Sequence, residues 1–137
     1  MPGNLFLLVD DQEEITLLAA SLLAPYGECV VATNGGEALV VFADAMKSGT
    51  RFTAVLLDIM MPGMDGHEVA RRLRQMEKAA GVPPAETFKL VMLTALADTK
   101  SVCRSFFREG MADAYLTKPL ESRKLVEELR HLGLVEA

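Results

Sequence analysis

The chain has 137 residues, half of them hydrophobic and 24% charged, with a formal net charge of -5. That length supports one domain with a real core and leaves little room for a second, and the acidic balance excludes a strongly basic nucleic-acid footprint, though not a local basic patch. No apolar run reaches the length of a membrane-spanning helix, and "MPGNLFLLVDDQEE" carries neither a basic leader nor a cleavage site, so the chain reads as soluble and cytoplasmic, without membrane insertion.

Short apolar runs alternate with helix-like segments along the chain. The first run, 5–9, ends on Asp10 and Asp11 and leads into a helical pattern over 12–24, stopped by Pro25 and Gly27. A second run, 29–32, precedes a helix over 36–47 that ends at Gly49. The third, 54–57, ends on Asp58 and is followed by a Pro62-Gly63 turn and a helix over 66–80, closed by Gly81, Pro83 and Pro84. The polar stretch "KAAGVPPAETFK" reads as a surface loop. The fourth run, 90–93, ends in Thr94 and Ala95, ahead of a helix over 98–109 and Gly110. The fifth, 114–116, ends in Thr117, Lys118 and Pro119, and a helix over 120–132 follows. The runs are continuously apolar, as expected of strands covered on both faces. The βαβαβαβαβα order predicts a parallel sheet with helices on both sides, because parallel neighbours need crossover helices.

In an open parallel sheet, ligands sit beyond the carboxyl ends of the strands. Those ends carry Asp10, Asp11, Asp58, Thr94 and Lys118. Each has an ordinary explanation taken singly: Asp11 as a helix cap with Glu14 three residues on, Asp58 as a turn residue, Thr94 as a β-branched strand residue. Their joint placement after separate strands is what suggests chemistry. Three carboxylates converging at neutral pH need an offsetting charge, which Lys118 and a divalent cation would supply. Hard oxygen ligands, few in number, suit Mg²⁺ with retained waters.

The segments "LLVDDQEE", "VLLDIMMPGMDG", "VMLTA" and "AYLTKPL" together resemble the response-regulator receiver domain of two-component signalling, including the chemotaxis-regulator type. The likeness covers essentially the whole chain, so 1–137 is expected to be a single receiver domain. It implies a flavodoxin-like doubly wound (βα)5 fold with a five-stranded parallel sheet in the order 2-1-3-4-5. It further implies that Asp58 is the phosphoacceptor and that Asp10 and Asp11 bind Mg²⁺ together with Asp58 and the backbone carbonyl of Met60. Lys118 is implied to pair with the phosphoryl group or with Asp58, Thr94 to hydrogen-bond the phosphoryl group, and Tyr115 to be the aromatic switch. The Lys118-Pro119 peptide is implied to be cis. The implied partners are a histidine kinase or histidine phosphotransfer protein and an unknown downstream protein that meets the surface of the fourth helix, fifth strand and fifth helix, with no direct nucleic-acid contact.

Two other functions are distinguishable by sequence. An aspartate-nucleophile phosphatase usually has a second aspartate two residues after the nucleophile, where Met60 stands here; a pseudo-receiver would lack Asp58, Lys118 or the acid pair. Met60 and Leu96 depart from polar choices at two positions that influence acyl phosphate hydrolysis in the family, which predicts a long-lived phosphoryl group. The chain is expected to be a single-domain regulator or a receiver excised from a hybrid kinase, at which "GMADAYLTKPL" hints. Helical spacing puts Ile15, Leu18, Ala19 and Leu22 on a core face and Leu17 outside, as a candidate kinase contact. Cys29 and Cys103 read as buried reduced thiols, and His67 and His131 as residues of solvated helix faces.

Overall fold

The computed structural model describes residues 3–59, 66–95 and 112–135. The helix expected over 98–109, the Pro62-Gly63 turn, Met60, Leu96 and Cys103 lie outside these residues. The described strands are β1 (Asn4–Val9), β2 (Gly27–Ala32), β3 (Ala54–Asp58), β4 (Lys89–Ala95) and β5 (Ala114–Lys118). The described helices are α1 (Glu13–Leu23), α2 (Gly35–Lys47), α3 (Gly66–Ala79) and α4 (Ser122–His131), with a short 3-10 turn at Pro84–Glu86. All strand pairs are parallel, in the order β2-β1-β3-β4-β5.

The continuous apolar runs become strands buried on both faces, and the period of two sorts their side chains. Leu7, Val9, Val55, Leu57, Leu90 and Met92 point to the layer holding α2 and α3. Phe6, Leu8, Ala54, Leu56, Val91 and Leu93 point to the layer holding α1 and α4. Residues 54–57 of β3, the middle strand, have no solvent exposure at all. A strand held this way cannot shift register without exposing an entire face. Whatever stands at its end is therefore rigidly presented.

Helix ends follow the sequence signals closely. Asn34 caps α2, its side chain accepting from the Glu37 N–H at 2.8 Å. Gly49 and Gly81 adopt φ of 77° and 76° just past α2 and α3, the left-handed conformation that terminates helices. Thr16 corrects the expectation for α1. Its hydroxyl donates to the Glu13 carbonyl at 3.0 Å, so it can be buried at little cost. The inward stripe is Thr16, Ala19 and Leu23, and Leu18, expected in the core, is 41% exposed beside Leu17 at 62%. Ile15 and Leu22 pack at the margin of that layer. Cys29 is only half-buried, and that burial raises its thiol pKa above the ordinary value. His131 lies on an exposed face, as expected, and His67 is partly buried.

Candidate functional site

Strand register brings the charged residues together. Val9 is opposite Leu57 across β1 and β3, so Asp10 follows level with Asp58, the last residue of β3. The Asp10 N–H continues the ladder to the Ala32 carbonyl at 3.2 Å. On the other side Asp58 is opposite Leu93, and the next pairs outward are Thr94 with Thr117 and Ala95 with Lys118. β3, β4 and β5 thus extend one or two residues beyond their apolar runs, so Asp58, Thr94 and Lys118 are strand ends, whereas Asp10 and Asp11 follow directly after β1.

Asp10, Asp58 and Thr94 are buried, at 1%, 4% and 1% exposure, while Asp11 is exposed. One carboxylate oxygen from each of Asp10, Asp11 and Asp58 lies within 4.8 Å of the others. Lys118 answers this charge. Its Nζ is 3.0 Å from Asp10 Oδ2 and 3.3 Å from Asp58 Oδ2, and it donates to Gln12 Oε1 at 2.9 Å. Asp10 Oδ1 accepts from the Gln12 N–H at 2.9 Å. Asp10 Oδ2 is buried without a hydrogen bond, because Lys118 Nζ is at ion-pair distance but not aligned as a donor. Asp11, which the sequence also allowed as a helix cap, is not the N-cap of α1; Gln12 takes that position, without a side-chain cap bond.

Gly66 adds a feature that the sequence motifs did not single out. A Cβ there would stand 3.0 Å from Ile59 Cα and 3.3 Å from the Ile59 carbonyl oxygen. The start of α3 therefore packs directly on the backbone that follows Asp58, and any side chain would push it away. The sequence marks 66 only as the start of a helix; that this start presses on a strand end becomes visible only in three dimensions. Tyr115 is 42% exposed on β5, and the Lys118-Pro119 peptide is cis. Met60 lies outside the described residues, so its carbonyl has no placement.

The donor set fits a hard divalent cation. It comprises three carboxylates, and one buried oxygen among them has no hydrogen bond. Among the described residues, the buried Asp10 and Asp58 and the exposed Asp11 stand beside one ammonium, a balance that a cation would offset. Receiver domains in general bind Mg²⁺ at such a cluster.

The comparisons agree with this geometry. A family model described as the response regulator receiver domain matches residues 6–130. The phosphate regulon transcriptional regulatory protein PhoB of Pseudomonas aeruginosa is 35% identical over 131 residues, which cover 95% of this chain and 52% of PhoB. The sensor protein GacS of Pseudomonas syringae is 38% identical over 121 residues, 88% of this chain and 12% of GacS. The chain thus spans about half of the first relative and a small part of the second. Among solved structures, the chemotaxis protein CheY4 of Vibrio cholerae superposes with a TM-score of 0.74 at 27% identity, covering 93% of this chain and 97% of that one. A parallel sheet in the order β2-β1-β3-β4-β5, an acid cluster at its carboxyl edge and a family match over nearly the whole length lead to one conclusion: the chain belongs to the response regulator receiver domain family of two-component systems.

Proposed function

We propose that Asp58 is the residue that receives the phosphoryl group, taken from the phosphohistidine of a histidine kinase or histidine phosphotransfer protein. The observation that carries this is the setting of Asp58. It is a buried carboxylate at the end of a solvent-free strand, 3.3 Å from the Lys118 ammonium and clustered with Asp10 and Asp11. An oxygen of Asp58 attacks phosphorus, the phosphorus–nitrogen bond breaks, and the imidazole leaves with the electron pair. Such transfer needs alignment and neutralised charge more than covalent help. Lys118 supplies positive charge for the phosphoryl oxygens, and Thr94, from the end of β4, supplies a hydroxyl. Asp10, Asp11 and Asp58, with the Met60 carbonyl that the family resemblance implies, would hold Mg²⁺, which would supply further charge neutralisation.

The phosphoryl group would then bias two states of the surface formed by the fourth helix expected over 98–109, β5 with Tyr115, and α4, the fifth helix in that expectation, by drawing on Thr94. On this reading residues 1–137 form one receiver domain that catalyses only its own phosphorylation and dephosphorylation, in the cytoplasm, without inserting into a membrane or contacting nucleic acid directly. It is either a single-domain regulator or a receiver from a longer protein. The exposed Leu17 and Leu18 on α1, next to the acidic edge, suit contact with the phosphohistidine-bearing partner. The test is mass spectrometry of the whole chain after incubation with acetyl phosphate and Mg²⁺. Wild type should gain one phosphoryl group and Asp58→Asn none; a gain that persists in Asp58→Asn means that another residue is the acceptor.

A further inference from the structure

Gln12 meets the charged centre twice. Its main-chain N–H donates to Asp10 Oδ1, and its side-chain Oε1 accepts from Lys118 Nζ, both at 2.9 Å. Lys118 Nζ in turn stands 3.0 Å from Asp10 Oδ2. The three residues close a ring that ties the start of α1 to the end of β5, across 106 residues of sequence. The orientation of the amide follows from chemistry, since an ammonium only donates and must face the oxygen.

Lysine places a point charge on a flexible four-carbon stem. Paired with Asp10 and Asp58 alone, Nζ could swing between them and toward solvent, because Lys118 keeps 18% of its side chain exposed. A third acceptor on the solvent side limits that swing and keeps the ammonium at ion-pair distance from both acids. We propose that Gln12 is a positioning residue for phosphoryl transfer, holding the Lys118 ammonium beside Asp58 through its side-chain oxygen while its N–H holds Asp10. The proposal rests on the reading of Asp58 as acceptor. Gln12 acts through Lys118 and does not itself touch the phosphoryl group. The neutrality of the amide is part of the inference. A carboxylate at this position would hold the ammonium as firmly but would draw its charge away from the phosphoryl oxygens.

The experiment uses the whole chain with Gln12 unchanged, replaced by methionine (similar length, no comparable acceptor) and replaced by glutamate. Lysine ammonium groups are observed by ¹⁵N NMR without Mg²⁺ or phosphodonor, the Lys118 signal being assigned by its loss in Lys118→Arg. Labelling by acetyl phosphate with Mg²⁺ is timed in parallel. The Lys118 ammonium should exchange slowly in wild type and in Gln12→Glu and be broadened away in Gln12→Met. Labelling should slow about three- to tenfold in Gln12→Met and by more than about tenfold in Gln12→Glu. A purely structural contact would leave Gln12→Glu at the wild-type rate, since glutamate keeps both the N–H and an acceptor, and that result overturns the proposal. A Lys118 signal that is identical in wild type and Gln12→Met overturns it as well. Absence of labelling in wild type would instead overturn the reading of Asp58, while the ammonium signal still decides whether the ring exists.

Discussion

The two ends of the sheet both gather charged side chains, and they do so in opposite ways. At the amino end, Arg74 of α3 lies over the Phe88 ring, 3.9 Å from its centroid, and donates to the Phe88 carbonyl at 2.6 Å. The same guanidinium reaches Glu77 at 3.4 Å and Asp113 at 3.3 Å. Glu77 also accepts from the Phe88 N–H at 2.9 Å, and Asp113 from the Leu90 N–H at 2.8 Å. Each carboxylate has a cation and a backbone donor, and the group locks α3 to the starts of β4 and β5. At the carboxyl end, among the described residues, three carboxylates cluster around one ammonium, which pairs with Asp10 and Asp58, and Asp10 Oδ2 has no hydrogen bond. The first arrangement is satisfied and holds the fold together; the second, among the described residues, has more carboxylates than cations, which suits a site that binds a cation and a phosphoryl group.

The contrast can be broken by exchanging the roles of the two cations. Lys118→Met should slow labelling by acetyl phosphate about a hundredfold, the scale of losing a positioned charge at a transfer site, with a smaller effect on stability. Arg74→Met should do the reverse. Removing one partner from a buried pair leaves uncompensated charge, and with Arg74 at 24% exposure the expected loss is about 2 kcal/mol in urea unfolding. Labelling of the folded Arg74→Met protein should stay near wild type. A similar loss of labelling in both variants would mean that the amino end is not merely structural.

Mg²⁺ sharpens the difference next. A cation that binds only the folded carboxyl end should raise stability by about 2.7 kcal/mol at a hundredfold excess over its dissociation constant. Thermal unfolding with and without Mg²⁺ reads this directly. Asp11→Ala, which removes an exposed member of the acid trio, should abolish most of the increase. An equal increase in wild type and Asp11→Ala would place the cation elsewhere.

The smallest effect concerns pH at the amino end. Burial raises the Glu77 pKa, outweighing the opposing influence of the Phe88 N–H and Arg74. The folded state then holds this proton more tightly than the unfolded state. Stability from Glu77 is present below its unfolded pKa and is lost as pH rises through the folded one. Glu77→Gln keeps an acceptor for the Phe88 N–H and removes the titration. The stability of Glu77→Gln relative to wild type should therefore improve as pH rises across the carboxylate range. A difference that is flat with pH would show that Glu77 does not carry this linkage.

Much of the fold was legible because its signals are local. The apolar runs around Leu7, Val31, Leu56, Met92 and Leu116 became strands within a few residues of their expected bounds, and Gly49 and Gly81 ended helices where a left-handed residue was needed. The family resemblance supplied the strand order, which periodicity alone does not contain. The acids were legible for a related reason: a carboxylate at the end of a solvent-free strand is costly, and three of them at the ends of β1 and β3 point to one edge. Leu18 shows the limit. Ile15, Leu18, Ala19 and Leu22 and the observed stripe of Thr16, Ala19 and Leu23 differ by a modest rotation of α1. Only the local bond of the Thr16 hydroxyl made the second set affordable to bury.

By itself, then, the sequence determined the alternation of elements and the chemical character of each strand end, because those depend on neighbours in the chain. Tertiary structure decided which charges meet. Gln12 with Lys118, Arg74 with Asp113, and the start of α3 at Gly66 against the backbone of Ile59 all depend on strand register and on how helices sit over the sheet. Residues far apart in sequence carry no mutual signal until the packed sheet brings them within hydrogen-bond distance, and there the geometry selects which pairs are made.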